Sequence, residues 1–209
     1  MEYLCVRLEN KDEIPNFQAG VNWTALSLQA LARMTARFPR GDASVVAKAV
    51  FSLTSFREQL PATRLTVFEL LEFLHQTYSA TITRDMGPHQ FVQGLVSAAE
   101  FEKDPRCLKV LFLMYEEISQ SWPLDAEAYK GIWDSYSRYF PITLKTTDPS
   151  VPTREELQLL LVRCFASNDN YAAYTFPYLF DGLDTSLDTL TASVKVSLLN
   201  LHVDFSNKL

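Results

Sequence analysis

DPRCLKVLFLMYEEISQSW, residues 104–122, carries the pattern on which the fold reading turns. Leu108, Leu111, Phe112, Tyr115 and Ile118 recur at spacings of three and four, the signature of a helix with one apolar stripe. Asp104 stands where an N-cap belongs and Pro105 where the missing amide of proline costs nothing. The next segment, DAEAYKGIWDSYSRYF at 125–140, repeats the design with Asp125 as cap and Tyr129, Ile132, Trp133, Tyr136 and Phe140 as stripe. An aromatic row of this kind points to helix-on-helix packing in preference to a ligand groove.

Outward from this pair the same periodicity predicts helices near 2–9, 21–37, 43–56, 61–78, 88–101, 153–167, 171–183 and 187–204, about ten in all, while strand-like alternation is nearly absent. LTVFELLEFL, 65–74, is apolar on most sides, which suits a helix covered by neighbours on two flanks. Taken in consecutive pairs, the later pairs begin near 43, 88, 125 and 171. Those steps of roughly 37 to 46 residues approach the HEAT or armadillo period. The expected fold is all-α, an α-solenoid of HEAT/armadillo-like helix pairs occupying residues 1–209 as one repeat segment of a longer protein.

The last pair sharpens that expectation. Residues 173–205 place Pro177 within a first helix, Asp181, Asp184 and Asp188 around helix ends, and Val194-Lys195 at the start of a second apolar stripe. This resembles a HEAT repeat, whose first helix is commonly bent by proline and whose second commonly opens with Val-Arg or Val-Lys.

Between the helices of the fourth pair lies YFPITLKTTDPSVPTREE, 139–156, in which Pro141, Pro149 and Pro152 favour extended backbone. Thr153 and Glu156 have capping-box spacing and restart the helix. Two roles are open to this strip. It is a connector packing Phe140, Ile142 and Leu144 onto the stack, or a docking edge for a protein partner, with Lys145, Asp148 and Arg154 as its charged contacts.

Composition removes several function classes. A chain of 209 residues with 47% apolar and 21% charged residues is an ordered globular type. A formal charge of −6 without a dense Lys/Arg cluster argues against direct nucleic-acid binding. No long uncharged apolar run indicates a membrane span, and MEYLCVRLENKDE carries charges inside any would-be leader. Six glycines are few, and none forms GxGxxG, GxxxxGK or GxSxG, the turns that bring backbone against a phosphate or a nucleophile.

Metal and thiol chemistry is equally unsupported. His75, His89 and His202 are far from one another, and Cys5, Cys107 and Cys164 have neither CxxC nor CxH spacing. The cysteines read as small core hydrophobes in a reducing compartment. Glu116-Glu117 points two ways on a helix and reads as a solvated face. The expectation is a non-enzyme with no catalytic residue, cofactor or metal.

Five blocks in order carry a family resemblance: Asp104-Pro105-Arg106, Tyr139-Phe140-Pro141-Ile142, Asp148-Pro149, Thr153-Arg154-Glu155 and Tyr174-Thr175-Phe176-Pro177. Together they resemble the N-terminal domain of the MMS-nineteen nucleotide-excision-repair and transcription family. The chain departs from the family pattern at Lys145-Thr146-Thr147, usually proline-rich, and at 172–177, usually Ala-Pro-Tyr-Ala-Phe-Pro; residues 1–100 match diffusely. The resemblance implies an adaptor of the cytosolic iron-sulfur assembly targeting complex. Its expected partners are the other targeting subunits and apo iron-sulfur enzymes of DNA repair, replication and transcription, in cytoplasm and nucleus. An unrelated HEAT/armadillo scaffold for transport or phosphatase assembly is the alternative. The apolar faces of such a segment would also allow self-association.

Overall fold

The computed structural model describes residues 5, 23–37, 43–53, 56–144 and 148–186. Among them lie eight α-helices and no strand: α1 (Trp23–Arg37), α2 (Ala43–Phe51), α3 (Pro61–Asp85), α4 (Pro88–Ala99), α5 (Pro105–Ser121), α6 (Ala126–Ser137), α7 (Arg154–Phe165) and α8 (Ala172–Ser186). Short 3-10 turns occupy Phe56–Glu58 and Asp169–Tyr171. The helices expected at 2–9 and 187–204, and with them Val194-Lys195, fall outside the described residues apart from Cys5, which is buried. The chain divides into two compact units, 1–110 and 111–209, with the boundary inside α5.

In the first unit α1 packs on α3, α2 on α4, and α3 also on α2 and α4. Alternate helices thus lie side by side in two layers while consecutive helices join the layers, which is the packing an α-solenoid repeats. The consequence for α3 is the one its sequence demands. Val67, Phe68, Leu70, Leu71 and Leu74 are all buried because neighbours cover more than one flank.

Local backbone chemistry explains where these helices differ from their expected ends. α3 runs past 78 to Asp85, but Tyr78 itself is non-helical at φ −123°, ψ 25°, so two helical stretches meet across a kink there. α2 stops at Phe51, and the expected extension to 56 is replaced by the turn at Phe56–Glu58. Gly87 adopts φ 87° immediately before Pro88, a backbone state open to glycine that lets α4 start at once. A Cβ on Gly94 would lie 2.3 Å from the Phe51 ring, so its bare backbone permits the close approach of α4 to α2.

The second unit follows the same plan. The alternate pair α5 and α7 meets where the Cys164 thiol donates to Phe112 O at 3.2 Å, and α6 and α8 meet where Trp133 Nε1 donates to Thr175 Oγ1 at 3.2 Å. Tyr115 Oη and Ser135 Oγ, 2.8 Å apart, join α5 to α6. The first expected stripe, Leu108, Leu111, Phe112, Tyr115 and Ile118 on α5, is buried throughout; of the second, Tyr129, Ile132 and Tyr136 are buried while Trp133 and Phe140 are half-buried. Rings meet edge to face at 5.1 Å for Tyr136 and Phe165 and at 5.6 Å for Phe140 and Phe165, a favoured aromatic geometry.

Caps expected from sequence are in place. The Asp125 carboxylate accepts from Ala128 N at 2.8 Å, Asp104 from Arg106 N at 2.9 Å, and Thr153 Oγ1 from Glu156 N at 3.1 Å. Each satisfies an amide that the first turn leaves without a helical partner.

Candidate protein-binding surfaces

The proline-rich strip between α6 and α7 is partly an ordered connector. Ile142 is buried, its amide donates to Gln158 Oε1 at 3.2 Å, and Phe140 packs on the Phe165 ring. Leu144 is half-buried. Of the three charged residues assigned to a docking edge, Lys145 lies outside the described residues. Asp148 is exposed, and its carboxylate accepts from Ser150 N at 2.9 Å and Ser150 Oγ at 2.7 Å, a turn-forming role. Arg154 is half-buried at the first position of α7, six residues along the chain from Asp148.

The second unit also presents apolar surface. Phe176 and Phe180, one turn apart on α8, stack with centroids 6.4 Å apart, and Phe180 is 61% exposed. Nearby chemistry is structural: Lys130 lies over the Trp133 ring at 5.2 Å and over Tyr174 at 5.6 Å, while also pairing with Asp134 one turn away. Glu116, read from sequence as solvated, is only 12% exposed in its side chain and takes two bonds from Arg163, Nε to Oε1 at 3.0 Å and Nη2 to Oε2 at 2.7 Å.

The first unit holds the most organised polar cluster. Glu102, its side chain 2% exposed, accepts from Arg64 at 2.7 and 2.8 Å and from the amides of Lys103 and Asp104, both at 2.8 Å. Arg64 also donates to Gln59 O at 2.6 Å. Burial by itself pushes the Glu102 carboxyl upward. The bonds from Arg64 and the two amides outweigh that push and hold it below the ordinary range, and the same pairing raises Arg64. The α4–α5 connection is thereby pinned to the start of α3.

Phe101, just before Glu102, takes φ 62°, where a side chain meets the carbonyl, at a cost of about 1–2 kcal/mol. Its ring is 66% exposed and lies under the Arg57 guanidinium, 5.6 Å from the centroid. Arg57 Nη2 in turn bonds Ser97 O at 3.1 Å and pairs with Glu100. Beside them a groove of about 330 Å³ is lined by Val50, Phe51, Leu53, Phe56, Arg57, Ser97 and Ala98. None of this was legible in sequence, since the partners stand about 40 residues apart and share no motif.

Thiol reactivity is suppressed at both described helix cysteines. Burial pushes the Cys107 thiol up to about 12 and Cys164 well above its ordinary value. Among the described residues no cluster of His, Cys, Asp and Glu could hold a metal ion, and no helix is long and apolar enough to cross a membrane.

Layered helix pairs joined by edge loops define an α-solenoid class of fold. Comparison with known proteins gives the family. Residues 1–204 match the model described as Dos2-interacting transcription regulator of RNA-Pol-II. The chain is 31% identical over 186 residues to the fission-yeast DNA repair/transcription protein mms19, covering 86% of this chain and 17% of that protein. It is 30% identical over 180 residues to the human MMS19 nucleotide excision repair protein homolog (81% and 17%) and 26% identical over 162 residues to the Drosophila melanogaster protein (77% and 16%). The chain belongs to the MMS19 N-terminal domain family, whose members are named for DNA repair and transcription. It spans less than a fifth of the length of these relatives. No solved structure matches it.

Proposed function

We propose that residues 1–209 are a non-catalytic HEAT-repeat segment of a longer adaptor that helps deliver the cytosolic iron-sulfur assembly machinery to apoproteins. The clients are enzymes of DNA repair, replication and transcription, and the adaptor works in both cytoplasm and nucleus. Its contacts are with proteins: the targeting subunits and the apo enzymes themselves. The observation that carries this reading is the family match over residues 1–204, and the two-layer helix packing within each unit supports it. A surface spread over many helices suits an adaptor because affinity can be distributed among edge loops and grooves. The family description itself names an interaction with Dos2, which fits a protein-binding role.

The strip with Lys145, Asp148 and Arg154 is one proposed docking edge. Asp148 and Arg154 follow an anchored connector along the chain, so a partner would meet a surface with part of its ordering already complete. Pull-down with the purified chain against recombinant targeting subunits and apo iron-sulfur DNA enzymes tests the reading. Capture of members of either class is expected, with weaker capture after Lys145→Glu together with Arg154→Glu. A folded chain that captures neither class overturns the adaptor role.

A further inference from the structure

We propose that the flank of α8 carrying Phe176 and Phe180 is a repeat junction, across which the next helix of the same layer packs in the longer polypeptide. The proposal rests on the reading of this chain as a segment of a larger protein, and not on which partners that protein delivers.

Contacts fix the faces of α8. Tyr174 and Tyr178 meet Trp133 of α6 with ring centroids 5.7 and 5.5 Å apart, and the Tyr178 hydroxyl lies 3.2 Å from both Ser137 O and Phe140 O. Thr175 and Leu179, one residue further on from each tyrosine, are buried and turn to the interior. Phe176 and Phe180 follow the tyrosines by two residues, and at about 100° per residue they stand roughly 200° around the helix. They therefore occupy the flank opposite α6, while Pro177 and Asp181 take the exposed outer face.

That placement names the occupant. In a stack of helix pairs each unit contacts its neighbours along the stack, so a helix with a same-layer neighbour on one flank receives the next on the other. The two rings stack with centroids 6.4 Å apart and planes 24° from parallel, one apolar plate in which Phe180 is 61% exposed. Same-layer seams elsewhere in the chain use the same chemistry. Phe51 of α2 meets Phe91 of α4 edge to face at 5.4 Å beside the bare backbone of Gly94, and Trp133 meets Tyr174 and Tyr178. A third helix bringing small and apolar residues one turn apart would complete a third such seam. The chain spans less than a fifth of the relatives it matches and corresponds to their N-terminal domain, so polypeptide is available to supply that helix.

Hydrogen exchange read by mass spectrometry, on the chain of residues 1–209 and on the full-length polypeptide that contains it, tests the assignment. Wild-type amides of Ala172–Ser186 are expected to exchange about tenfold or more slowly in the full-length protein than in the shorter chain. Phe180→Glu should erase that difference while leaving exchange in the shorter chain within about twofold, and Phe180→Leu should keep most of it. Circular dichroism of each variant separates loss of the junction from loss of folding. Equal exchange of the two wild-type proteins, or full protection kept by a folded Phe180→Glu, overturns the proposal. Protection that rises with protein concentration overturns it in favour of a second copy, and protection that appears only when a client is added overturns it in favour of a client surface.

The two readings fail separately. If assembly subunits or clients are captured while α8 exchanges equally in both proteins, the adaptor stands and the junction falls. If Phe180 protects α8 in the full-length protein while neither class is captured, the junction stands and the adaptor identity falls.

Discussion

The two units stabilise their polar interiors in opposite ways. In 1–110 the buried polar cluster is charged, with Glu102 gripped by Arg64 and by two backbone amides. In 111–209 it is mostly neutral. Ser119 Oγ donates to Tyr115 O at 2.6 Å, so its single proton is used and the Tyr171 hydroxyl, 2.5 Å away, must be the donor to Ser119. Tyr115 pairs with Ser135, Asn168 Nδ2 reaches Ser119 O at 2.8 Å, and Ser167 Oγ reaches Cys164 O at 2.8 Å. A charged clamp holds a loop at one point, and its worth depends on acid pH. A hydroxyl network ties four segments together and answers to alkali.

The largest expected effect tests the clamp. Arg64→Met leaves a buried carboxylate without its counter-charge and should cost about 3–5 kcal/mol at neutral pH. Because Glu102 is held below the ordinary carboxylate range, its contribution is present above the unfolded value of about 4.3 and is lost as pH falls through the lowered folded value. The deficit of Arg64→Met should therefore narrow toward pH 4, where the stranded carboxyl takes up a proton. Urea denaturation of both proteins from pH 7 to 4 checks this. A deficit constant across that range would show that the cost lies in lost packing and not in charge.

The matching test of the second unit is smaller. Tyr115→Phe strands the buried Ser135 hydroxyl and should cost about 1–3 kcal/mol, while adding Ser135→Ala should restore part of the loss, a coupling readable in a double-mutant cycle. Its pH signature has the other sign. Burial pushes the Tyr115, Tyr136 and Tyr171 hydroxyls up, so their contribution is whole below the unfolded value of about 10 and is lost as pH rises toward the folded values. Wild-type stability should fall above that pH, and Tyr115→Phe should fall less steeply. Parallel pH curves for the two proteins would remove Tyr115 from the alkaline response.

Local devices come next. Asp125→Ala deletes the α6 cap and should cost about 1 kcal/mol, with Asn in its place nearly neutral, as read in thermal melts. Phe101→Gly is expected to act in the reverse direction. Relief of the positive φ, less the lost contact with Arg57, should leave a gain of at most about 1 kcal/mol. A more stable Phe101→Gly in thermal melts would show that the positive φ is strained, whereas a destabilised one would mean that the ring supports the fold.

Elements governed by near neighbours were legible in the residues. The stripes of α5 and α6, the caps at Asp104, Asp125 and Thr153, and the central place of 65–74 follow from helical spacing and from polar atoms within three residues of the amides they serve. The kink at Tyr78 fell where the periodicity ended, though the chain resumed helix instead of turning. Asp148, a charged residue of the proline-rich strip, bonds within its own turn, a use of its carboxylate that charge alone does not reveal.

The sequence by itself determined an all-α chain of paired helices with tightly packed stripes, because helix formation and capping are set by residues within one or two turns of each other. Only tertiary structure decided that Arg64 meets Glu102, that Arg57 meets Glu100 and Phe101, that Glu116 is shielded by Arg163, and that a groove opens beside Arg57. Such pairings join residues 38 to 47 positions apart, and long side chains on a helix surface have many partners within reach. Which one they find depends on the angle at which one helix lies against the next, and that angle is settled by the whole packed layer and not by any single stretch of the chain.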